Sequence, residues 1–248
     1  MTVTTYDSGE RTRRAAELLS LRLAEPEGEL ILLPIPSTDG ELVRGTDIAL
    51  GELVNCTGAD SAVVGYALPA DFVGALKCRG AFVFDLYNSE EFLTLNAALT
   101  AEAALGIILS SEPRAPRELK IGVVGYGRIG KRLVSLLMFL GASVRVYTTR
   151  ESVALSLGEA GADAELITEG VDFSGLDLLV NTAPDSLFSS LARGGRTPRI
   201  IELASGDNFP KGLAVERYPA LPSRVYPESA GKMVAEAVVG QLVAEGRI

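Results

Sequence analysis

The residues from Lys120 to Gly130 could do chemistry together: an apolar run, Ile121-Gly122-Val123-Val124, passes straight into Gly125-Tyr126-Gly127-Arg128-Ile129-Gly130. Gly-x-Gly-x-x-Gly after a strand and before a helix reads as a dinucleotide site, the alternative being a merely structural βα turn. The first glycine permits the tight turn, the second lets the backbone approach a pyrophosphate, and the third lets the helix pack closely on the strand. The N–H groups of the helix's first turn then face the phosphates. The helix itself is marked by Ile129, Leu133, Leu136, Leu137 and Leu140 at helical spacing and by Gly141 at the position of a C-cap.

The next strand, Ala142 to Tyr147, bears on which dinucleotide is held. Its end, about 20 residues past the glycines, is where an NAD enzyme carries an acid for the ribose 2′-hydroxyl. Here the residues are Thr148-Thr149-Arg150. Two hydroxyls and a guanidinium suit a 2′-phosphate, which favours NADP, while a solvated Arg150 would leave NAD equally acceptable.

Some mechanisms are excluded outright. The chain has no histidine, so it can build no Ser-His-Asp or Cys-His nucleophile, and it lacks the imidazole that usually takes the hydroxyl proton in 2-hydroxy-acid dehydrogenation. A redox reaction here must manage its proton with Lys, Glu, Asp, Tyr or water. No metal site is expected. The net charge of -9 over 248 residues argues against a nucleic-acid partner. Arg11, Arg13 and Arg14 form a short basic run beside Leu18, Leu19 and Leu21, which reads as a solvated helix face. Cys56 and Cys78 are far apart and in no Cys-x-x-Cys pattern, which with the absence of a signal-peptide pattern leads to the expectation of a cytoplasmic protein with reduced thiols. The apolar stretch Phe92 to Leu109 contains Asn96 and Glu102 and reads as a buried helix rather than a membrane span.

The elements that must position these groups read as α/β throughout. A helical pattern from Arg11 to Ala24 precedes a short buried strand, Glu29 to Leu33. Strands follow at Ser61–Val64 and Ala81–Leu86 with a helix over Leu68–Leu76, while Leu50 to Ala59 carries no clear pattern. A long helix, Ser89 to Ser110, leads through Pro113 and Pro116 to the glycine-bearing strand. Further strands are expected near Ala164–Thr168, Leu176–Asn181, Arg199–Leu203 and Leu213–Glu216, and a last helix over Ala230–Ala244. The expected architecture is a doubly wound, parallel-sheet Rossmann domain (89–229, entered by a linking helix over 89–110) and a smaller, truncated flavodoxin-like α/β domain (1–88), completed by the terminal helix at 230–248. The two helices would cross between the domains and let a cleft open and close.

In open parallel sheets ligands sit beyond the carboxyl ends of the strands. That places Asn181-Thr182-Ala183-Pro184 and Leu203 beside the dinucleotide, with Asn181 and Thr182 either bonding the nicotinamide ribose or carboxamide or serving as turn formers before Pro184. For a substrate it selects Ser37, Thr38 and Gly40, as an anion nest or an ordinary turn, together with Asn88 and the cations Arg224 and Lys232, which could equally be solvated.

At these residues the chain resembles the family of the dipicolinate synthase A chain. The resemblance runs through Leu86-Tyr87-Asn88-Ser89, the glycine triplet, Asn181 to Pro184, Ile201-Glu202-Leu203-Ala204-Ser205, Ala220-Leu221-Pro222-Ser223-Arg224 and Pro227-Glu228-Ser229-Ala230-Gly231. It departs from the family at Ser223, at Tyr226-Pro227, and in an opening glycine-rich βα unit that is shortened to the region of Tyr6 to Arg14. The resemblance implies NADP-dependent oxidation of a reduced cyclic dicarboxylate to pyridine-2,6-dicarboxylate (dipicolinate), partnership with a flavoprotein-like second subunit, and a role in sporulation. The residues themselves leave open another NAD(P)-dependent oxidoreductase of a small acid, a catalytically idle nucleotide-binding regulatory subunit, and assembly into a homo-oligomer.

Overall fold

The computed structural model describes the chain except residues 7–8, 24–27, 169–170, 185–196 and 207, so Ala24, the expected end of the first helix, lies outside the described residues. The contacts divide it into two compact units, Met1–Asn96 with Pro222–Ile248, and Ala97–Leu221.

The first unit begins with β1 (Thr2–Thr5), α1 (Glu10–Arg22) and β2 (Glu29–Leu32), then a small hairpin of β3 (Thr38–Asp39) and β4 (Leu42–Val43). It continues with α2 (Leu50–Cys56), β5 (Ser61–Gly65), α3 (Ala70–Cys78) and β6 (Phe82–Asp85). Four strands form a parallel sheet in the order β1-β2-β5-β6. Flavodoxin-like sheets run 2-1-3-4-5, and the described strands match the 1-3-4-5 part of that order. The opening βα unit is therefore present, and among the described residues no strand lies outside β1. β1 is polar at every residue but Val3, because as an edge strand it is not fully buried. The core gathers Ile31, Leu33, Val43, Leu53, Val63, Phe72, Leu76 and Ala81. The seven residues of α2, patternless in sequence, contribute Leu53 to it.

From here α4 (Glu90–Ser111) leads into the second unit. It is the one helix among the described residues long and apolar enough to cross a membrane, with a mean hydropathy of 1.7 in its most apolar window. Phe92, Ala97, Ala101, Ala103, Ala104 and Ile108 along it are buried, while Leu95 and Leu109 are exposed.

The second unit contains β7 (Lys120–Val124), α5 (Arg128–Phe139), β8 (Ser143–Thr148), α6 (Glu151–Glu159), β9 (Asp163–Leu166), β10 (Leu178–Asn181), β11 (Arg199–Glu202) and β12 (Val215–Arg217). All six strands are parallel, in the order β12-β11-β10-β7-β8-β9. Numbered within the unit and read from β9, that is 3-2-1-4-5-6, the doubly wound Rossmann order, with its reversal between β7 and β10. Val124, Tyr147, Phe173, Leu176, Leu179, Ile200 and Phe209 pack its core. The Arg114 guanidinium bonds Glu112 and Asp177, and Asp177 accepts from the Lys120 N–H, so the linker is tied to the start of the glycine-bearing strand.

The chain returns to the first unit through α7 (Leu221–Val225) and α8 (Pro227–Ala244). There α8 packs on α1 at Gly231, where a Cβ would lie 2.5 Å from the Cβ of Arg14 and 3.0 Å from the carbonyl oxygen of Arg11. Part of the family-like Pro227–Gly231 segment is thus a helix contact. The basic run needs a correction too. Arg11 is only 6% exposed and its Nη2 donates to the Ile35 carbonyl at 2.9 Å, because residues 11, 15 and 19 share the inward face of α1. Arg13 and Arg14 are the solvated members, paired with Glu10 and Glu17 and with Glu17 and Glu228. Of the leucines beside the basic run, Leu19 is fully buried and Leu21 is 78% exposed.

Candidate functional site

The three glycines differ in what demands them. Gly125 has φ +90°, a left-handed conformation that side chains resist, and its N–H donates to the Tyr147 carbonyl at 2.8 Å. A Cβ on Gly130 would fall 2.2 Å from the Gly125 carbonyl oxygen, so α5 can approach the turn only with glycine there. Gly127, the N-cap of α5, has φ -86° and ψ -161°, open to any residue, and nothing lies within 4 Å of where its Cβ would be. The protein itself gives no reason for glycine at 127. The space that a side chain there would fill is where the Rossmann arrangement brings a pyrophosphate against the helix N-terminus, so the residues fit a dinucleotide.

At the end of β8 the expected hydroxyls part ways. Thr148 is buried and its Oγ1 accepts from the Arg150 N–H at 3.1 Å, leaving Thr149 and Arg150 as the exposed groups. The Arg150 guanidinium reaches back over the glycine turn, where its Nη2 donates to the Tyr126 carbonyl at 3.1 Å. The Lys131 ammonium stands 5.6 Å from the Tyr126 ring centroid. Tyr126 is thus flanked by two cations.

At the end of β10, Asn181 is buried and its amide is used internally. Nδ2 donates to the Ala183 carbonyl and to Glu202 Oε1, both at 2.9 Å, and Oδ1 accepts from the Ala183 N–H at 3.1 Å. Thr182 Oγ1 donates to the Val124 carbonyl at 2.8 Å. These two side chains clip the loop 181–184 to the glycine turn and to β11. Ala183 is half-buried, Pro184 is exposed, and Leu203 is joined to Asn181 through its backbone N–H.

Sequence reasoning did not single out Glu202 as a site residue. It is 2% exposed at the carboxyl end of β11 and accepts from Asn181 Nδ2, the Ala204 N–H and, on Oε2, Asn208 Nδ2 at 3.2 Å. Burial pushes its carboxyl up from the ordinary range, opposed by those hydrogen bonds and by the charge of Arg217. The available signal was an acid ending the apolar run Ile200-Ile201 at the edge where ligands bind.

All six expected substrate residues fall in the first unit, including Arg224 and Lys232. Ser37 is fully buried, its Oγ donating to the Pro34 carbonyl and accepting from the Tyr66 N–H, both at 2.7 Å, so it fastens two strand ends. Gly40 (φ +65°) takes the first central position of the β3–β4 hairpin turn, with Thr38 in the strand before it, so this segment is a hairpin rather than a nest. Asn88 is exposed at the end of a one-turn 3₁₀ helix capped by Asp85, whose carboxylate also takes the N–H groups of Ala67 and Leu68. Beside it the exposed Tyr87 meets Tyr66 edge-on at 5.5 Å. Arg224 is exposed on α7, and Lys232 lies exposed on α8, 3.7 Å from Glu236.

A cavity of about 380 Å³ lined by Lys120, Ser143, Arg145, Tyr147, Asp163 and Asp172, among others, sits toward the amino ends of β7, β8 and β9, away from the glycine turn. Among the described residues no group of three or more His, Cys, Asp or Glu could hold a metal ion.

No protein-family model matches the chain, and no curated protein sequence does. Solved structures share its fold. The A chain of dipicolinate synthase from Bacillus subtilis aligns with a TM-score of 0.76 at 19% identity, over 98% of this chain and 94% of that one. Its counterpart from Bacillus halodurans gives 0.71 at 21% identity, over 86% and 79%. D-lactate dehydrogenase from Escherichia coli gives 0.57 at 12% identity, over 99% and 98%. The resemblance carried by the sequence motifs thus extends to the fold.

Proposed function

We propose that this chain is an NADP-dependent oxidoreductase that converts a reduced cyclic dicarboxylate to pyridine-2,6-dicarboxylate. The observation that carries the nucleotide part is Gly127, a glycine facing open space at the helix N-terminus beside the sheet's reversal. Gly125 and Gly130 shape the turn around it, and Thr149 and Arg150 meet the 2′-phosphate. Bound NADP would accept a hydride from the substrate ring. The carbon that loses hydride leaves a cationic ring, and loss of one proton from it restores neutrality and completes the aromatic system. That gain drives the proton to water or a modest base, so the absence of histidine is no obstacle.

The substrate part is supported by the likeness in motifs and fold to the A chain of dipicolinate synthase. Thr38, Gly40, Asn88, Arg224 and Lys232 are its candidate contacts, donors suited to a doubly negative ring. A flavoprotein-like second subunit, a cytoplasmic location and service in sporulation belong to the same reading.

Two observations favour a second reading, a nucleotide-binding protein without catalysis of its own. Among the described residues the first unit has no strand outside β1, and Ser37 is fully engaged inside the protein. Calorimetric titration with NADP, NAD and then pyridine-2,6-dicarboxylate separates the readings. Saturable dicarboxylate binding to the NADP-loaded protein is expected for the synthase. Binding of the nucleotide alone, whether or not a partner is added, leaves the idle regulatory role or an oxidoreductase of another small acid.

A further inference from the structure

Three N–H groups donate to the Glu202 carboxyl: Asn181 Nδ2, the Ala204 N–H and Asn208 Nδ2. Both side-chain donors are themselves anchored. Asn181 Nδ2 also holds the Ala183 carbonyl, and Asn208 Nδ2 also holds that of Ser205 at 3.1 Å. One side chain therefore joins the loop after β10 to the loop after β11. Such a set of donors asks for an acceptor-only group, which is a carboxylate and neither an amide nor a protonated acid. If uncharged connection were the purpose, an apolar pair would do it without burying a charge.

The position of this clasp gives it a consequence. In the doubly wound sheet each half takes one mononucleotide, and the half with the glycine turn and the β8 end takes the adenine side. The β10 and β11 loops belong to the other half. We propose that Glu202, as a carboxylate, is the positioning residue for the nicotinamide half of the dinucleotide site. It sets the loops at Asn181–Pro184 and Leu203–Gly206 without touching the ligand. This inference rests on the dinucleotide reading above.

Protonation would unmake the clasp, since an O–H would then point at a donor. Burial brings that event to a higher pH than an exposed glutamate would need. Arg217 on β12 is the charged side chain acting on Glu202 among the described residues. The groups that bond it from the β10 end and from the segment after β11, Asn181, Ala204 and Asn208, are neutral.

The test compares NADP with 2′-phospho-ADP-ribose, which carries every phosphate of NADP and lacks only the nicotinamide. Their affinity ratio cancels phosphate ionisation and isolates the nicotinamide contribution. Calorimetry on the full chain at about pH 7.5 and about pH 5.5, wild type against Glu202→Gln, is expected to show three things. The wild-type preference for NADP shrinks as pH falls. Glu202→Gln loses that preference at both pH values, by roughly tenfold to a hundredfold, the range of one charged hydrogen bond. The variant keeps its affinity for 2′-phospho-ADP-ribose and stays folded at both pH values, its stability relative to the wild type changing only through the Glu202 titration.

An unchanged NADP preference in Glu202→Gln, with the same pH dependence, overturns the inference and leaves the dinucleotide reading standing. Loss of both ligands together with a lowered melting temperature also overturns it, because Glu202 would then be a general support of the unit. Binding of neither ligand by the wild-type protein removes the dinucleotide reading itself, and this inference with it.

Discussion

Gly130 and Gly125 are in contact through what Gly130 lacks: any Cβ at 130 would stand 2.2 Å from the carbonyl oxygen of Gly125. Gly127, between them, has no such neighbour. The triplet therefore separates into fold and ligand. Gly130→Ala is expected to destabilise the second unit by about 1–3 kcal/mol or more, as overpacking does. Gly127→Val should leave urea denaturation close to wild type and abolish NADP binding by filling the pyrophosphate space. Equal losses of stability in the two variants would show that Gly127 is held by packing after all.

Arg150 is aimed by its bond to the Tyr126 carbonyl, and no acid occupies 148 to 150. Arg150→Ala should weaken NADP roughly tenfold or more while leaving NAD nearly unchanged, since only NADP offers a 2′-phosphate. Calorimetry with both nucleotides checks this. Wild-type affinities that are equal for the two would remove the preference.

What could be read from the sequence follows how local each signal is. The β7–α5 turn was legible because strand, glycines and helix are contiguous and each glycine has its own steric meaning. β1 was not, because Thr2–Thr5 gains strand character only by pairing with Glu29–Leu32. Arg11 looked solvated because the acceptor that buries it, the Ile35 carbonyl, is 24 residues away. Pro36 to Gly40 carried turn chemistry, yet whether it made a nest or a hairpin depended on pairing Thr38 with Val43. Asn181 was legible as a residue at the carboxyl end of its strand. Its partner Glu202 was not, because the donors that define it come from Asn181, Ala204 and Asn208 on separate stretches.

Gly231 ties the end of the chain to its beginning, by the contact of α8 with α1 beside Arg14 and Ala15. Gly231→Ala is expected to cost about 1–3 kcal/mol through forced separation of the helices. Deleting the residues after Gly231 removes the buried Met233, Val234, Val238 and Leu242 and should expose apolar surface on the first unit. Urea denaturation and binding of a hydrophobic dye read both changes. A truncated chain that melts like the parent would make α8 an appendage.

Glu202 links pH to stability and to binding in opposite directions. Burial raises its carboxyl, so the folded chain keeps the proton to a higher pH than the unfolded chain does. Between those two values the native state binds more protons, and stability from this group falls as pH rises through the window. The contribution is fully present below the ordinary carboxylate value and is lost above the raised one. Glu202→Gln has no proton to bind and removes this dependence. Urea denaturation from about pH 4 to about pH 7 should therefore show the wild type gaining on the variant as pH falls, while its preference for NADP over 2′-phospho-ADP-ribose declines. A stability difference that stays constant across that range would mean that the Glu202 carboxyl titrates as it does in the unfolded chain, and the charge at the end of β11 would then cost the fold nothing.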